Sequence, residues 1–511
     1  MKRVLPLLIL FIFIDVFIAG TDAQQVNTLY FMENVPVRQS LNPAFQPLTP
    51  YFISLPVIGF TQLSVGNNSL TLKDLVPNYA GQSFNNLQST ADVYHLYRLV
   101  KPSAVVHVGF QTNLLGFGFR HKNNYWSFIL SERLDGMASV PKDAFRFFLY
   151  GTNLSTAGMY DFSSLKTNVS AYTEAALGLS RKMNDKLTVG ARLKFLYGSA
   201  NMSNAKSSIT LVAGSGKWTY RELGTMNISS PADMQVSKGY DAVSVISPKH
   251  NSDWLKSAGL GAGIDLGIAY QLNEHINLSA ALADLGFIHW TGHVQNFTYQ
   301  KEVTFSSSAL GYSNVNITDL QDLYNRMSAN GVLSDSLKKL VQDPSTITRS
   351  KNSYSTATTA RLNLGFEYSI LDNTLGFGLL SYSHFISSAV VSELTASVNA
   401  RPAPWFNASL SYSAFNARMG SIGAGIGLKT GIFHWLLSAD YVPFRTVGLS
   451  LSDFGPKYPN LKIPVPYNSQ SFNLAFGMNL ALNSLFPKSR FNKRTGRYQP
   501  VSDDDCHCAP N

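Results

Sequence analysis

The chain has 511 residues, enough by length for two or three soluble domains, yet no linker or shift in composition divides its middle, so one large architecture is expected. Charged residues make up only 14% and aromatic residues 12%, and so sparse a charge, against roughly 25% in typical soluble proteins, suits a surface facing lipid or a very large interior. The formal charge of +10 comes with no basic stripe, finger or recognition-helix pattern, which argues against nucleic acid and leaves anionic lipid head groups as its natural counterpart.

Residues 1–23 read as a cleaved secretory signal: Lys2-Arg3, an apolar run from Leu5 to Ile18, then Thr21-Asp22-Ala23 before Gln24. The run is short and interrupted by Asp15, unlike a membrane anchor. Its charges, Lys2, Arg3, Asp15 and Asp22, cancel, so the mature chain keeps the whole excess. The two cysteines, Cys506 and Cys508, lie at the far C-terminus, so the body forms no disulfide and depends on its sheet. Residues 24–50 carry Leu29-Tyr30-Phe31-Met32, Asn34-Val35-Pro36 and Leu41-Asn42-Pro43-Ala44-Phe45-Gln46-Pro47, with neither the helix nor the strand period. They read as an ordered irregular segment, either a plug within the structure that follows or a strap beneath it.

Strand patterning then begins. Alternating segments run from Tyr51 to Val65, Ser103 to Arg120, Tyr125 to Arg133, Val169 to Arg181, Lys186 to Gly198, Leu260 to Tyr270 and Ile276 to Asp284, since a strand sends successive side chains to opposite faces. A phase slip at Gln111 to Asn113 suggests a β-bulge. From Thr359 the even positions Ala360, Leu362, Leu364, Phe366, Tyr368 and Ile370 are apolar, while Arg361, Asn363 and Glu367 share the other face. Thr374 to Phe385 and Val390 to Arg401 follow. Arg401-Pro402-Ala403-Pro404 breaks the pattern, because proline cannot donate to a ladder. Phe406 to Ser413, Ser421 to Lys429, Ile432 to Val447 and Gln470 to Leu485 bring the total to about 14 strands.

The connections alternate in length. Tight turns fall at His121 to Asn124, Met183 to Asp185, Asn273 to His275, Leu371 to Asn373, Arg401 to Pro404 and Thr430-Gly431. Long links fall at Gly66 to Pro102, Asp135 to Asn168, Ser199 to Ser257, Leu285 to Ser355 and Gly448 to Ser469, with short links near Ser387 and Asn416 as exceptions. Outer-membrane barrels sort short periplasmic turns and long outer loops in this way, and spanning strands must pair every backbone group internally. The expected fold is all-β: a transmembrane antiparallel up-and-down β-barrel over residues 51–486, with a periplasmic tail at 487–511. The barrel would lie in the bacterial outer membrane with both termini periplasmic and lipid around it. The longest loop carries helix-spaced Leu320, Leu323 and Met327, then Leu333, Leu337, Leu340 and Val341, and is read as a helical hairpin over the mouth.

Several stretches look alike to known proteins. Leu41-Asn42-Pro43-Ala44-Phe45, Ser131-Glu132-Arg133 followed by Pro141-Lys142-Asp143, and Asp284-Leu285-Gly286-Phe287-Ile288-His289-Trp290 resemble an uncharacterised outer-membrane β-barrel family of Bacteroidetes. The early Asn42-Pro43-Ala44 element and the strand number are similar to the long-chain fatty-acid transporter superfamily. Bacteroidetes barrels of this size include type IX secretion components. The resemblance therefore implies either passage or handling of a hydrophobic or small solute, or a non-transporting scaffold in a secretion or surface-assembly complex.

For chemistry the chain offers little. No Gly-x-Ser-x-Gly elbow, phosphate loop or His-Glu-x-x-His sequence occurs, so no catalytic, cofactor-binding or metal-ligating set is expected and the protein is not read as an enzyme. Cys506-His507-Cys508 supplies too few ligands for a structural zinc site. His289 and His293 read as loop residues. Gly423, Gly425 and Gly427 share one strand face and leave space for a close interior neighbour. Lys488, Arg490, Lys493, Arg494 and Arg497 form a basic solvated tail. The inward row nominates Arg192, Lys194, Asp265, Arg361, Glu367, Glu393, Arg401 and Lys429 as lumen-facing candidates, lining a path or paired with one another or with a plug.

Overall fold

The computed structural model describes residues 26–33, 35–75, 97–150, 158–213, 216–231, 234–236, 243–245, 256–306, 347–386, 389–415, 418–440, 446–450, 462–466, 471–482, 489–492 and 497–500. The expected signal segment, the helical hairpin in the longest loop and Cys506-His507-Cys508 lie outside these residues. No helix among the described residues is long and apolar enough to cross a membrane.

Fourteen antiparallel strands close into a barrel. They are β1 (Tyr51–Ser54 and Thr61–Asn67), β2 (Ser103–His121), β3 (Asn124–Pro141), β4 (Lys166–Lys182), β5 (Leu187–Ala213), β6 (Gly259–Gln271), β7 (Ile276–Trp290), β8 (Ala360–Ile370), β9 (Leu375–Ile386), β10 (Ala389–Ala403), β11 (Phe406–Phe415), β12 (Arg418–Thr430), β13 (Phe433–Asp440) and β14 (Ser471–Leu482). Each strand pairs with the next, and β14 returns to β1 through Tyr51↔Leu482 and Thr61↔Phe476, so no edge is left open. The outward row is apolar and exposed: Val106, Val108, Phe117, Leu177, Leu193, Phe195, Leu266, Phe287, Phe377 and Leu437 are among its members. Exposed Tyr270, Tyr368, Trp405 and Trp435 gather near the tight turns, as an interfacial aromatic girdle does. With a polar inner row, this is the architecture of an outer-membrane β-barrel.

The structure departs from the periodicity in four places. β1 is not continuous: Leu55 to Phe60 leave the ladder, with Val57 at φ 63° and exposed beside Ile58, while Phe60 turns into the interior. The excursion still donates Val57 N–H to Asn113 O at 2.7 Å and accepts from Met478 N–H at Ile58 O, also at 2.7 Å, so the wall stays bonded. Opposite it, the slip expected near Gln111 to Asn113 is a register shift between Asn113 and Leu115. β10 runs through Pro402 to Ala403, with a register shift after Ala400; proline is accommodated where the ladder is already irregular.

The expected long links also contain strands. β5 continues to Ala213 and pairs with Lys217–Ser229, which pairs with Gln295–Ser306. Beyond the lipid both faces of a strand meet water or loops, so the period-two signal fades. In the tail, Ser489–Asn492 pairs with Arg497–Pro500, a hairpin where only a solvated run was expected.

Candidate functional site

The lumen is occupied at its turn end by residues 26–50. Two short 3-10 helices, Asn27–Phe31 and Pro36–Ser40, bury Val26, Leu29, Tyr30, Phe31, Met32 and Val35 against Phe60, Leu380, Leu436 and Ala475 of the wall. Pro36 opens the second of them, at a position where its missing N–H would go unpaired in any helix, and the barrel supplies further partners. Tyr30 Oη meets Ser279 Oγ at 3.0 Å, Asn363 Nδ2 donates to Leu41 O at 2.9 Å, and Gln46 Nε2 donates to Ser180 O at 3.2 Å. Thr28 Oγ1 lies 2.6 Å from Ser411 Oγ and donates to Asp440.

The Asn42-Pro43-Ala44 element has a mechanical role. Asn42 Nδ2 donates to Ile268 O and Ala280 O, both at 3.3 Å, and its Oδ1 accepts from Ala44 N–H at 2.9 Å. Gly190 and Gly267 are direct cross-strand partners beneath it; a Cβ on Gly190 would overlap the Pro43 carbonyl, and one on Gly267 would overlap the Asn42 amide. On the opposite wall a Cβ on Gly425 would stand 2.8 Å from Met32 Sδ. The glycine face of β12 is thus the space for a close neighbour that its sequence suggested, and that neighbour is the N-terminal segment.

Above this segment a buried ion network crosses β3 to β8. Arg133 Nε lies 3.2 Å from Glu174 and its Nη1 3.1 Å from Asp284; Lys194 Nζ lies 3.4 Å from Glu174 and 2.9 Å from Asp265; Arg192 Nη1 lies 3.4 Å from Asp265. Lys194 and Arg361 also pair with Asp284. Asp284 reaches this position through a bulge. Ala283 and Asp284 together oppose Asp265, with the register shifting between Ile264 and Leu266, and Asp284 sits at φ 58°, a left-handed conformation that aspartate tolerates better than most residues. Its backbone N–H donates to Asp265 Oδ1 at 2.7 Å. Beside the network a cavity of about 40 Å³ is lined by Arg133, Asp135, Tyr172, Asp284, Arg361 and His384, among others, room for a few waters. Nearer the loop end Tyr172, Leu196, Ile288 and Trp290 form a small apolar core.

Arg192, Lys194, Asp265 and Arg361 are brought together in this network. Glu367 and Arg401 pair with each other at the turn end, where Arg401 Nη2 also donates to Phe31 O at 3.0 Å and Nη1 lies 3.9 Å from Glu33. They hold the N-terminal segment. Glu393 is buried higher on β10, with Thr395 Oγ1 at 3.5 Å. Lys429 stands apart, half-buried near the turn end with no carboxylate within 4 Å among the described residues. His289 is exposed and meets Ser355 Oγ at 3.0 Å.

Sequence reasoning missed Arg133, Glu174 and Asp284. The first two were legible: Arg133 continues the row of Ser127 and Ser131, and Glu174 that of Ser170 and Ser180, all buried. Asp284 falls on the apolar parity of Leu278 and Leu282. Its signal is the phase change after it, where the outward row passes to exposed Leu285 and Phe287.

A family model described as a family of unknown function, DUF5723, matches residues 43–440. No curated protein matches the sequence significantly. Among solved structures, the chain is similar to the Ralstonia pickettii toluene transporter TbuX, at 10% identity and TM-score 0.41, covering 89% of this chain and 97% of that one. It is similar to the Pseudomonas putida toluene transporter TodX, at 9% identity and TM-score 0.36, covering 91% and 97%. A Pseudomonas aeruginosa FadL homologue aligns at 10% identity and TM-score 0.34, covering 91% and 98%.

Proposed function

The chain belongs to the DUF5723 family of unknown function, and from that premise we propose that it is an outer-membrane conduit for the passage or handling of hydrophobic or small solutes, with both termini in the periplasm. One observation carries the reading: the lumen is stopped at the turn end by the chain's own residues 26–50, beneath a cavity. A barrel of eight strands is narrow enough for wall side chains to fill. Fourteen strands enclose more space than anchoring requires, and here a separate segment closes it. A closable path needs this division of labour between wall and stopper. The small polar cavity suits a small solute, while the apolar packing of Leu29, Phe31 and Met32 against Phe60 and Leu436 is a contact that an apolar solute could compete for when the segment moves.

The test is flux across proteoliposomes holding the full chain, with sugars of graded size and an apolar fluorescent probe. The wild type should pass sugars slowly, and Gly190→Ala, which crowds Pro43, should raise their rate severalfold. No flux of either probe from either protein, together with a stably co-purifying partner, would sink the proposal.

A further inference from the structure

The cavity beside the ion network is walled on one side by two adjacent inward rows of β1 to β4. Gln62, Gln111, Arg133 and Tyr172 are cross-strand partners in one row, and Ser64, Gly109 and Asp135 in the next. Thr359, Arg361 and His384 close it from β8 and β9, where Arg361 and His384 are themselves direct partners. All of these residues border the same space of about 40 Å³.

Three of the side chains have bonding capacity that the protein leaves unused. His384 is 2% exposed, yet its ring makes no hydrogen bond; one ring face stacks on Tyr382 with centroids 6.1 Å apart. The Gln111 amide makes none either. Asp135 accepts from Tyr172 Oη at 2.9 Å and has no cation within 4 Å among the described residues. Polar groups left unpaired in a buried place call for a physical cause.

Charge and arrangement select what fits. The cations Arg133, Arg192, Lys194 and Arg361 are matched one for one by Glu174, Asp265, Asp284 and Asp135, so an entering ion of either sign would lack a countercharge, which is costly in a buried place. Donors and acceptors are not sorted to opposite sides: Arg133 and Asp135 share one face of β3, and Arg361 pairs with Asp284 across from them. A hydroxyl both donates and accepts at one atom, whereas an amide separates the two functions. The space takes about three waters, the room that a diol or triol of about four to six heavy atoms fills.

We propose that this cavity binds a small neutral polyol of about the size of glycerol, its hydroxyls bridging Asp135, Gln111 and His384. This names a solute class for the conduit and rests on that reading for its purpose, while the binding itself is an equilibrium property of the barrel.

Saturation-transfer NMR on the purified full-length barrel, in a detergent without sugar head groups, tests it with glycerol, 1-propanol, methylammonium and acetate as probes. Glycerol should bind saturably and the other three about tenfold more weakly or less, since each forgoes charge-assisted or paired hydrogen bonds. Asp135→Asn should weaken glycerol about tenfold and Gln111→Leu about fivefold, the worth of a charged and a neutral hydrogen bond. Neither side chain is in an ion pair, so the heat-unfolding midpoint should hold; should Asp135→Asn fail to fold, Gln111→Leu decides. No saturable glycerol signal, which would mean a cavity for water only, overturns the proposal. So does equal binding of 1-propanol, a preference for either ion, or undiminished glycerol binding by folded Gln111→Leu. Sugar flux in proteoliposomes without glycerol binding would sink the site and keep the conduit, whereas glycerol binding without flux would keep the site and count against the conduit.

Discussion

The two halves of the inner wall satisfy their polar groups by different means. From β3 to β8 the charged groups converge in one network, Arg133, Arg192, Lys194 and Arg361 against Glu174, Asp265 and Asp284. From β9 to β14 most buried polar groups are neutral and pair two by two along the wall. Ser383 Oγ meets Ser392 Oγ at 2.8 Å, Thr395 Oγ1 meets Ser413 Oγ at 2.8 Å, and Ser409 Oγ donates to Asn399 Oδ1 at 2.7 Å. A buried charge that loses its partner is severely penalised, whereas a hydroxyl can rotate to another acceptor. The ionic half is therefore a rigid brace, and the hydroxyl half a forgiving surface that accepts Thr28 and the short helix behind it.

The sharpest way to break that contrast is Asp284→Asn. Asparagine tolerates the left-handed backbone of Asp284, so the change removes charge alone, and it deprives Arg133, Lys194 and Arg361 of a shared partner. A loss of about 3–5 kcal/mol is expected, read as a lower urea midpoint for unfolding from detergent or bilayer. A midpoint within error of wild type would show that the network is not a brace.

Next comes the seat of the N-terminal segment. Gly190→Ala places a methyl group against the Pro43 carbonyl and should cost about 1–3 kcal/mol by overpacking. Because the wall can persist without its stopper, hydrogen exchange should rise over residues 26–50 and stay unchanged on β9 to β11. Uniform loosening of both would contradict a separately seated segment. The smallest effect belongs to the neutral half: Ser383→Ala removes one hydroxyl pair and should cost only about 0.5–1.5 kcal/mol in the same urea titration. A cost as large as that of Asp284→Asn would erase the distinction between the halves.

The strands were legible because lipid outside and a polar lumen inside impose one period over many residues. Thr359 to Ile370 shows it most clearly, and the structure returns β8 at Ala360–Ile370. Even the irregularity near Asn113 left a trace as a phase slip. Leu55 to Phe60 is marked by Pro56 and Gly59, but Val57 and Ile58 between them are as apolar as strand residues, so the excursion reads as continuous strand. The extension of β5 to Ala213 was hidden for the converse reason: outside the bilayer nothing enforces alternation.

Sequence by itself determined the barrel and the sidedness of its wall, since each strand contacts two solvents whose polarity is written residue by residue along it. Only the tertiary structure decided who meets whom across the lumen. The partners of Asp284 and the seat of Asn42 on facing glycines depend on register between strands up to hundreds of residues apart. Local periodicity carries no record of which rows share a height, because hydrogen-bonded ladders fix that only once the ring has closed.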